Sequence, residues 1–219
     1  MKFFKSLFQS QFPPPDQPPP VVVVSGLPRS GTSMMMKMLE AAGLEVVVDG
    51  IREADKDNPK GYYEFERVKQ LDKGDTEWVE EAQGKVVKVI SALLEHLPPE
   101  YEYRVLFMNR NLDEILASQR KMLEHRGESS NISDEKLAEL LNKHVHKTKA
   151  WLAAQPNFSL LDIDYNAMLS NPGPFVPQVN HFLGDGLDEE AMTAVVEPNL
   201  YRNRSADRET RGQGDKEIN

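Results

Sequence analysis

The run VVVVSGLPRSGTSMMMKML at 21–39 leaves this chain few folds to choose from. Consecutive valines, β-branched and uniformly apolar, suit a strand buried on both faces, the condition of a parallel sheet. Gly26 and Gly31 then bound a tight turn. A helix follows and stops at Gly43, a glycine in the usual position just past a helix end. Strand, turn and helix in that order aim the N–H groups of Ser30, Gly31, Thr32 and Ser33 at one point, with the positive end of the helix dipole behind them. Such a turn is an anion site, and Arg29 lies beside it. The spacing from Gly26 over four residues to Gly31 is that of a phosphate-binding loop. Thr32 then stands where a triphosphate loop carries the lysine that reaches the β- and γ-phosphates. The turn suits a 5′-phosphate better than a triphosphate.

Past this element, strand and helix signals alternate. Segments 45–49, 85–90, 104–109 and 158–164 read as strands that join 21–25. Segments 32–42, 65–73, 112–125, 174–183 and 188–196 read as helices, with a long helix that follows Ser133 and runs to Ala154. Ser133 is a fitting N-cap because Asp134 and Glu135 come directly after it. Met34, Met35, Met36 and Met38 read as adaptable core filling. Strands separated by helices predict an α/β fold, a doubly wound parallel sheet flanked by helices, with right-handed crossovers and its ligands at the carboxyl ends of the strands. A length of 219 residues fits one such domain. The expected organisation is a proline-rich tail at 1–20 (it contains FPPPDQPPP), a domain over 21–204, and a polar, disordered tail at 205–219.

Charge and composition narrow the function. With 35 acidic and 26 basic residues the net charge is −9, which argues against a nucleic-acid or anionic-membrane binder. A polyanionic ligand has to be held by a local basic site. The absence of cysteine rules out disulfides, thiolate metal sites and a cysteine nucleophile. There is no apolar run of about 18 residues to span a membrane. The N-terminal patch of Phe3, Phe4, Leu7 and Phe8 is too broken for a signal peptide, so a cytoplasmic location fits. His144 and His146 lie two apart on a helix and make a poor metal pair.

A second constellation is RNLDEILAS at 110–118. Arg110 ends the strand 104–109, and Ser118 lies eight residues on, roughly 10–12 Å away along a helix. A phosphate on a ribose 3′-oxygen can bridge an arginine at a strand end and a hydroxyl on the helix face.

Together, GLPRSGTS at 26–33 and RNLDEILAS at 110–118 resemble the two nucleotide motifs of the sulfotransferases, in particular the Pro-Arg-Ser-Gly-Thr branch that includes many bacterial proteins. The resemblance implies a phosphate-loop-type α/β domain that uses 3′-phosphoadenosine 5′-phosphosulfate (PAPS) as cosubstrate. The sulfuryl group would pass by in-line displacement to a hydroxyl or amine of a small-molecule, carbohydrate or peptide acceptor. It implies that Arg29, Ser30, Gly31, Thr32 and Ser33 bind the 5′ end of the donor, and Arg110 and Ser118 its 3′-phosphate. Arg29 can also clamp the sulfuryl oxygens, and no metal is demanded. Lys88, which interrupts the apolar KVVKVI, is either an edge-strand residue or, as in family members, a catalytic lysine beside the phosphosulfate. For the general base, relatives use a glutamate from the loop after the second strand. Glu64 is the choice here and Glu53 the runner-up, with Asp55, Asp57 and Glu66 nearby. Tyr165 either contacts adenine or is structural, and Arg202 and Arg204 lie where relatives bring a basic segment over the 3′-phosphate. A non-catalytic PAPS-binding module and a phosphate-loop kinase are the rival readings.

Overall fold

The computed structural model describes residues 18–51, 63–128 and 132–196. The proline-rich segment up to residue 17, Glu53, Asp55, Asp57, Tyr62, Arg202, Arg204 and the tail 205–219 lie outside the described residues. Four strands, β1 (Val21–Gly26), β2 (Val86–Lys88), β3 (Tyr103–Asn109) and β4 (Phe158–Asp164), pair in parallel in the order β2-β1-β3-β4. The helices are α1 (Thr32–Ala41), α2 (Trp78–Glu81), α3 (Leu112–Arg126), α4 (Asp134–Ala153), α5 (Tyr165–Ser170), α6 (Phe175–Leu183) and α7 (Glu189–Val195), with 3₁₀ helices over Glu66–Lys73 and Ser91–His96.

The valine run explains why both faces of the sheet are covered. Strand geometry sends alternate side chains to opposite faces. Val22 and Val24 pack with Met35, Met36, Met38 and Leu39 of α1 and with residues of α5, α6 and α7. Val21 and Val23 pack on the other face with Trp78, Leu94, Phe107 and Leu152 of α4. The sheet is thus doubly wound. α1 leaves β1 over the first face, whereas α4 leads into β4 over the second. The carboxyl ends of β1 and β3 are therefore the place where the winding reverses, and in such sheets that crevice is where ligands bind.

Three expected elements differ from the reading by pattern. Segment 45–49 is not a strand of its own: it makes one bridge, Val46 to Val86, with hydrogen bonds from Val47 N–H to Val86 O and from Val86 N–H to Glu45 O. The polar turn after it ends the pairing, because the Asp49 carboxylate takes the N–H groups of Ile51 at 3.0 Å and Glu66 at 2.6 Å. The strand expected over 85–90 narrows to Val86–Lys88, since the chain turns into the 3₁₀ helix at Ser91. Segment 65–73 is helical but 3₁₀, and its two buried residues, Val68 and Leu71, are three apart, the spacing that eclipses side chains in that helix. The short helices α2 and α5 have no counterpart in the expected elements. α5 starts where the Asp164 carboxylate accepts the Ala167 N–H at 3.0 Å.

Ser133 caps α4 as expected, its hydroxyl accepting the Lys136 N–H at 3.3 Å. Ser133→Ala is expected to cost about 1 kcal/mol, read as a lower urea midpoint at unchanged slope. No described helix is long and apolar enough to cross a membrane.

Candidate active site

The loop between β1 and α1 is compressed between its neighbours at two glycines. A Cβ on Gly26 (φ +144°) would lie 2.5 Å from Ser30 Oγ and 2.6 Å from the Met108 carbonyl of β3. A Cβ on Gly31 (φ +99°) would lie 2.2 and 2.5 Å from ring carbons of Tyr165. Between them Arg29 holds φ +73°, a left-handed conformation rare for a side chain of this size. Such strain persists where the surroundings over-determine it. Ser30 differs from its expected role in one respect: its N–H turns back to the Leu27 carbonyl at 3.1 Å. Its hydroxyl is what faces inward, 1 % exposed and with no hydrogen-bond partner. Thr32 and Ser33 open α1 and are half-buried.

Arg29, Arg110 and Ser118 form one hydrogen-bonded chain. Arg29 Nε donates to Ser118 Oγ at 2.9 Å, and Arg110 Nη1 donates to the Arg29 carbonyl at 3.0 Å. Residues 81 and 89 positions apart in sequence are thereby joined at the crevice between β1 and β3. Ser118 is 4 % exposed. Arg110 is held from behind: its Nε donates to Glu114 Oε2 at 3.0 Å, and its guanidinium lies 4.8 Å above the centroid of the Tyr165 ring. Asn166 of α5 donates to the same Glu114 oxygen at 3.0 Å.

Glu114 and Asn166 were not singled out from sequence. Glu114 carried a signal, its position four residues beyond Arg110 on a helix. Asn166 carried none, because the pairing of Asn109 with Asp164 across β3 and β4 brings it there. Tyr165 is 8 % exposed and packs under the loop. Burial pushes its phenol up, Arg110 pulls it down and Glu114 pushes it up again, and the balance is upward. A neutral ring therefore lies below the loop that joins β1 to α1.

Residues 19–211 match the family model described as the sulfotransferase domain. This chain belongs to the sulfotransferase family. The resemblance drawn from GLPRSGTS and RNLDEILAS thus holds across nearly the whole chain. Sulfotransferase STF1 from Mycobacterium tuberculosis H37Rv has the same fold at a TM-score of 0.55 and 16% identity, the match covering 82% of this chain and 71% of that one. Mouse sulfotransferase SULT7A1, crystallised in complex with PAP, matches at a TM-score of 0.50 and 14% identity over 80% of this chain and 62% of that one. No curated protein sequence matches the chain.

In this sulfotransferase Lys88 and Glu64 stand on the other flank of β1. Lys88 ends β2, is half-buried, and pairs in register with Val24, two residues before Gly26. Its backbone is thus at the same carboxyl rim as the loop. β2 lies at one end of the four-strand order and is extended outward by the single Val46 bridge. Glu64 lies beyond that bridge, where its carbonyl accepts the Asp49 N–H at 3.4 Å and its half-buried carboxylate sits 3.3 Å from Lys69 Nζ. Tyr63, just before it, donates its hydroxyl to Glu40 of α1. Burial pushes this phenol up, and the hydrogen bond and charge of Glu40 add to the shift. The structure brings Arg29, Arg110 and Ser118 into one hydrogen-bonded chain on the β3 side of β1, and places the backbones of Lys88 and Glu64 on the β2 side.

Proposed function

We propose that this protein transfers the sulfuryl group of PAPS to a hydroxyl or amine of a small-molecule, carbohydrate or peptide acceptor. The observation that supports the reading most is the Arg29–Ser118 and Arg110–Arg29 chain, which links the anion loop to the second basic site within the reach of one nucleotide. The residues present fit that donor. The crowding at Gly31 shows that only a residue without a side chain lets the loop close on Tyr165, and the buried Ser30 hydroxyl is a polar group still in need of a partner. Ser30, Gly31, Thr32 and Ser33 are assigned to the 5′ end, and Arg110 with Ser118 to the 3′-phosphate.

When bound, PAPS supplies an activated sulfuryl group on a good leaving group. The chain supplies position and fixed charge. Arg29, already oriented by Ser118, offers guanidinium donors where negative charge grows on the sulfuryl and bridging oxygens. Lys88 is assigned the neighbouring positive charge from the end of β2. Glu64 is assigned the proton of the acceptor hydroxyl, a task that needs a carboxylate within hydrogen-bond reach of it. The acceptor then sits toward β2, opposite the Arg110 side.

Calorimetry with 3′-phosphoadenosine 5′-phosphate and with ATP tests the donor, and transfer of labelled sulfate from PAPS to a panel of hydroxyl compounds tests the reaction. Tight binding of the first nucleotide alone, followed by transfer, is expected. Preference for ATP overturns the reading, and binding without transfer reduces the protein to a nucleotide-binding module. Arg29→Ala is expected to remove a charge-assisted hydrogen bond of roughly 1.5–3 kcal/mol. That corresponds to turnover slower by about ten- to two-hundredfold. The split between kcat and KM shows whether the contact belongs to the transition state.

A further inference from the structure

We infer that Asn166, the second residue of α5, is a positioning residue for Arg110 and acts through Glu114. The inference rests on the reading of Arg110 as the ligand of a ribose 3′-phosphate. Glu114 is 2 % exposed, so its carboxylate has left water and must be satisfied by protein donors. Two donors converge on its Oε2, Arg110 Nε at 3.0 Å and Asn166 Nδ2 at 3.0 Å.

The orientation of the amide follows from its other partner. Asn166 Oδ1 accepts the N–H of Asn111 at 3.2 Å. A backbone N–H can only donate, so the oxygen must face Asn111 and the NH₂ group must face Glu114. Asn111 is the N-cap of α3, and its own side chain takes the Asp113 N–H at 2.8 Å. One amide from α5 therefore grips both the start of α3 and the carboxylate one turn into it.

This matters for the direction of the Arg110 fork. Nε is fixed on Glu114, Nη1 on the Arg29 carbonyl, and the guanidinium lies over Tyr165. A planar guanidinium recognises phosphate by the direction of its N–H groups, so a turn of the plane misaims them. Glu114 sets that plane, and Asn166 sets Glu114. Selectivity for a nucleotide with a 3′-phosphate is thus controlled from α5, an element outside both sequence motifs. An acid at this position would place a second carboxylate against the first, in competition for Arg110.

The test uses the whole protein and its Asn166→Ala and Asn166→Asp variants. In the absence of nucleotide, the ¹H–¹⁵N signal of Arg110 Nε, assigned by its loss in Arg110→Lys, is expected to be sharp in the parent and broadened or shifted in both variants. By calorimetry, affinity for 3′-phosphoadenosine 5′-phosphate is expected to fall tenfold or more, while affinity for 5′-AMP stays within twofold. An unchanged Nε signal together with unchanged bisphosphate affinity overturns the inference. So does equal weakening for both nucleotides, the mark of a general structural defect. Should the parent fail to prefer the bisphosphate over 5′-AMP, the donor reading fails, and the Nε signal still decides whether Asn166 positions Arg110.

Discussion

Gly31→Ala is expected to lower the melting temperature by roughly 5–20 °C and to abolish nucleotide binding. Two costs combine. The residue sits at φ +99°, and a side chain held in so sparsely populated a conformation costs about 1–3 kcal/mol. The new methyl also falls 2.2 Å from a Tyr165 ring carbon, and forced overpacking typically costs about 1–3 kcal/mol more. The ring cannot retreat freely, because Arg110 lies 4.8 Å above its centroid and Tyr165 is itself in the core with Met168 and Leu169. The double variant Gly31→Ala/Tyr165→Ala separates the two costs. Relief of the clash leaves the backbone cost in place, so the double variant is expected to be less destabilised than the sum of the singles. A Gly31→Ala protein that melts within a degree or two of the parent would show that the loop is not compressed against α5.

Arg110→Ala carries the second large effect, and it acts on stability and recognition together. Arg110 and Glu114 are an ion pair 3.0 Å apart, with side chains 10% and 2% exposed. Removal of one partner leaves a buried carboxylate without its counter-charge, which costs about 3–5 kcal/mol in comparable pairs. Asn166 still donates to Glu114, so the lower end of that range is expected. The paired replacement Arg110→Met/Glu114→Leu removes both charges and is expected to be more stable than Arg110→Ala. Neither variant is expected to distinguish 3′-phosphoadenosine 5′-phosphate from 5′-AMP in calorimetry, whereas the parent is expected to distinguish them. The two measurements are independent. If denaturation midpoints of Arg110→Ala and the parent coincide, the pair is not the buried anchor described, and if the nucleotide preference survives, Arg110 is not the 3′-phosphate ligand.

The strong local patterns were legible. Val21–Gly26 and the helix after it follow from consecutive valines, two glycines and a run of apolar residues, and the structure repeats them almost residue for residue. The strands ending at Asn109 and Asp164 and the Ser133 cap were equally plain. The side next to β2 was harder. Segment 45–49 has the composition of a strand but makes only one bridge, because the Asp49 carboxylate closes a turn that draws Ile51 and Glu66 to it. A pattern of side chains does not reveal that competition, since Glu66 is distant in sequence from Asp49. In the candidate site, the two arginines and Ser118 could be singled out because Arg29 lies in the glycine-bounded loop after β1, Arg110 directly follows β3, and Ser118 is on the helix that comes next. Glu114 and Asn166 could not be assigned roles in the same way, since their meaning depends on what they face.

The chain's own order of residues was enough to determine that a parallel α/β sheet forms, that a glycine-bounded loop leads from its first strand into a helix, and that a second basic motif follows the strand ending at Asn109. These are local consequences of backbone geometry and periodicity. Only the tertiary structure decided that β1 and β3 are neighbours, that Arg29 meets Ser118, and that α5 reaches back to hold the carboxylate behind Arg110. Strand order is set by how two apolar faces are covered at once, and that balance is struck over the whole core, so no single stretch of sequence carries it.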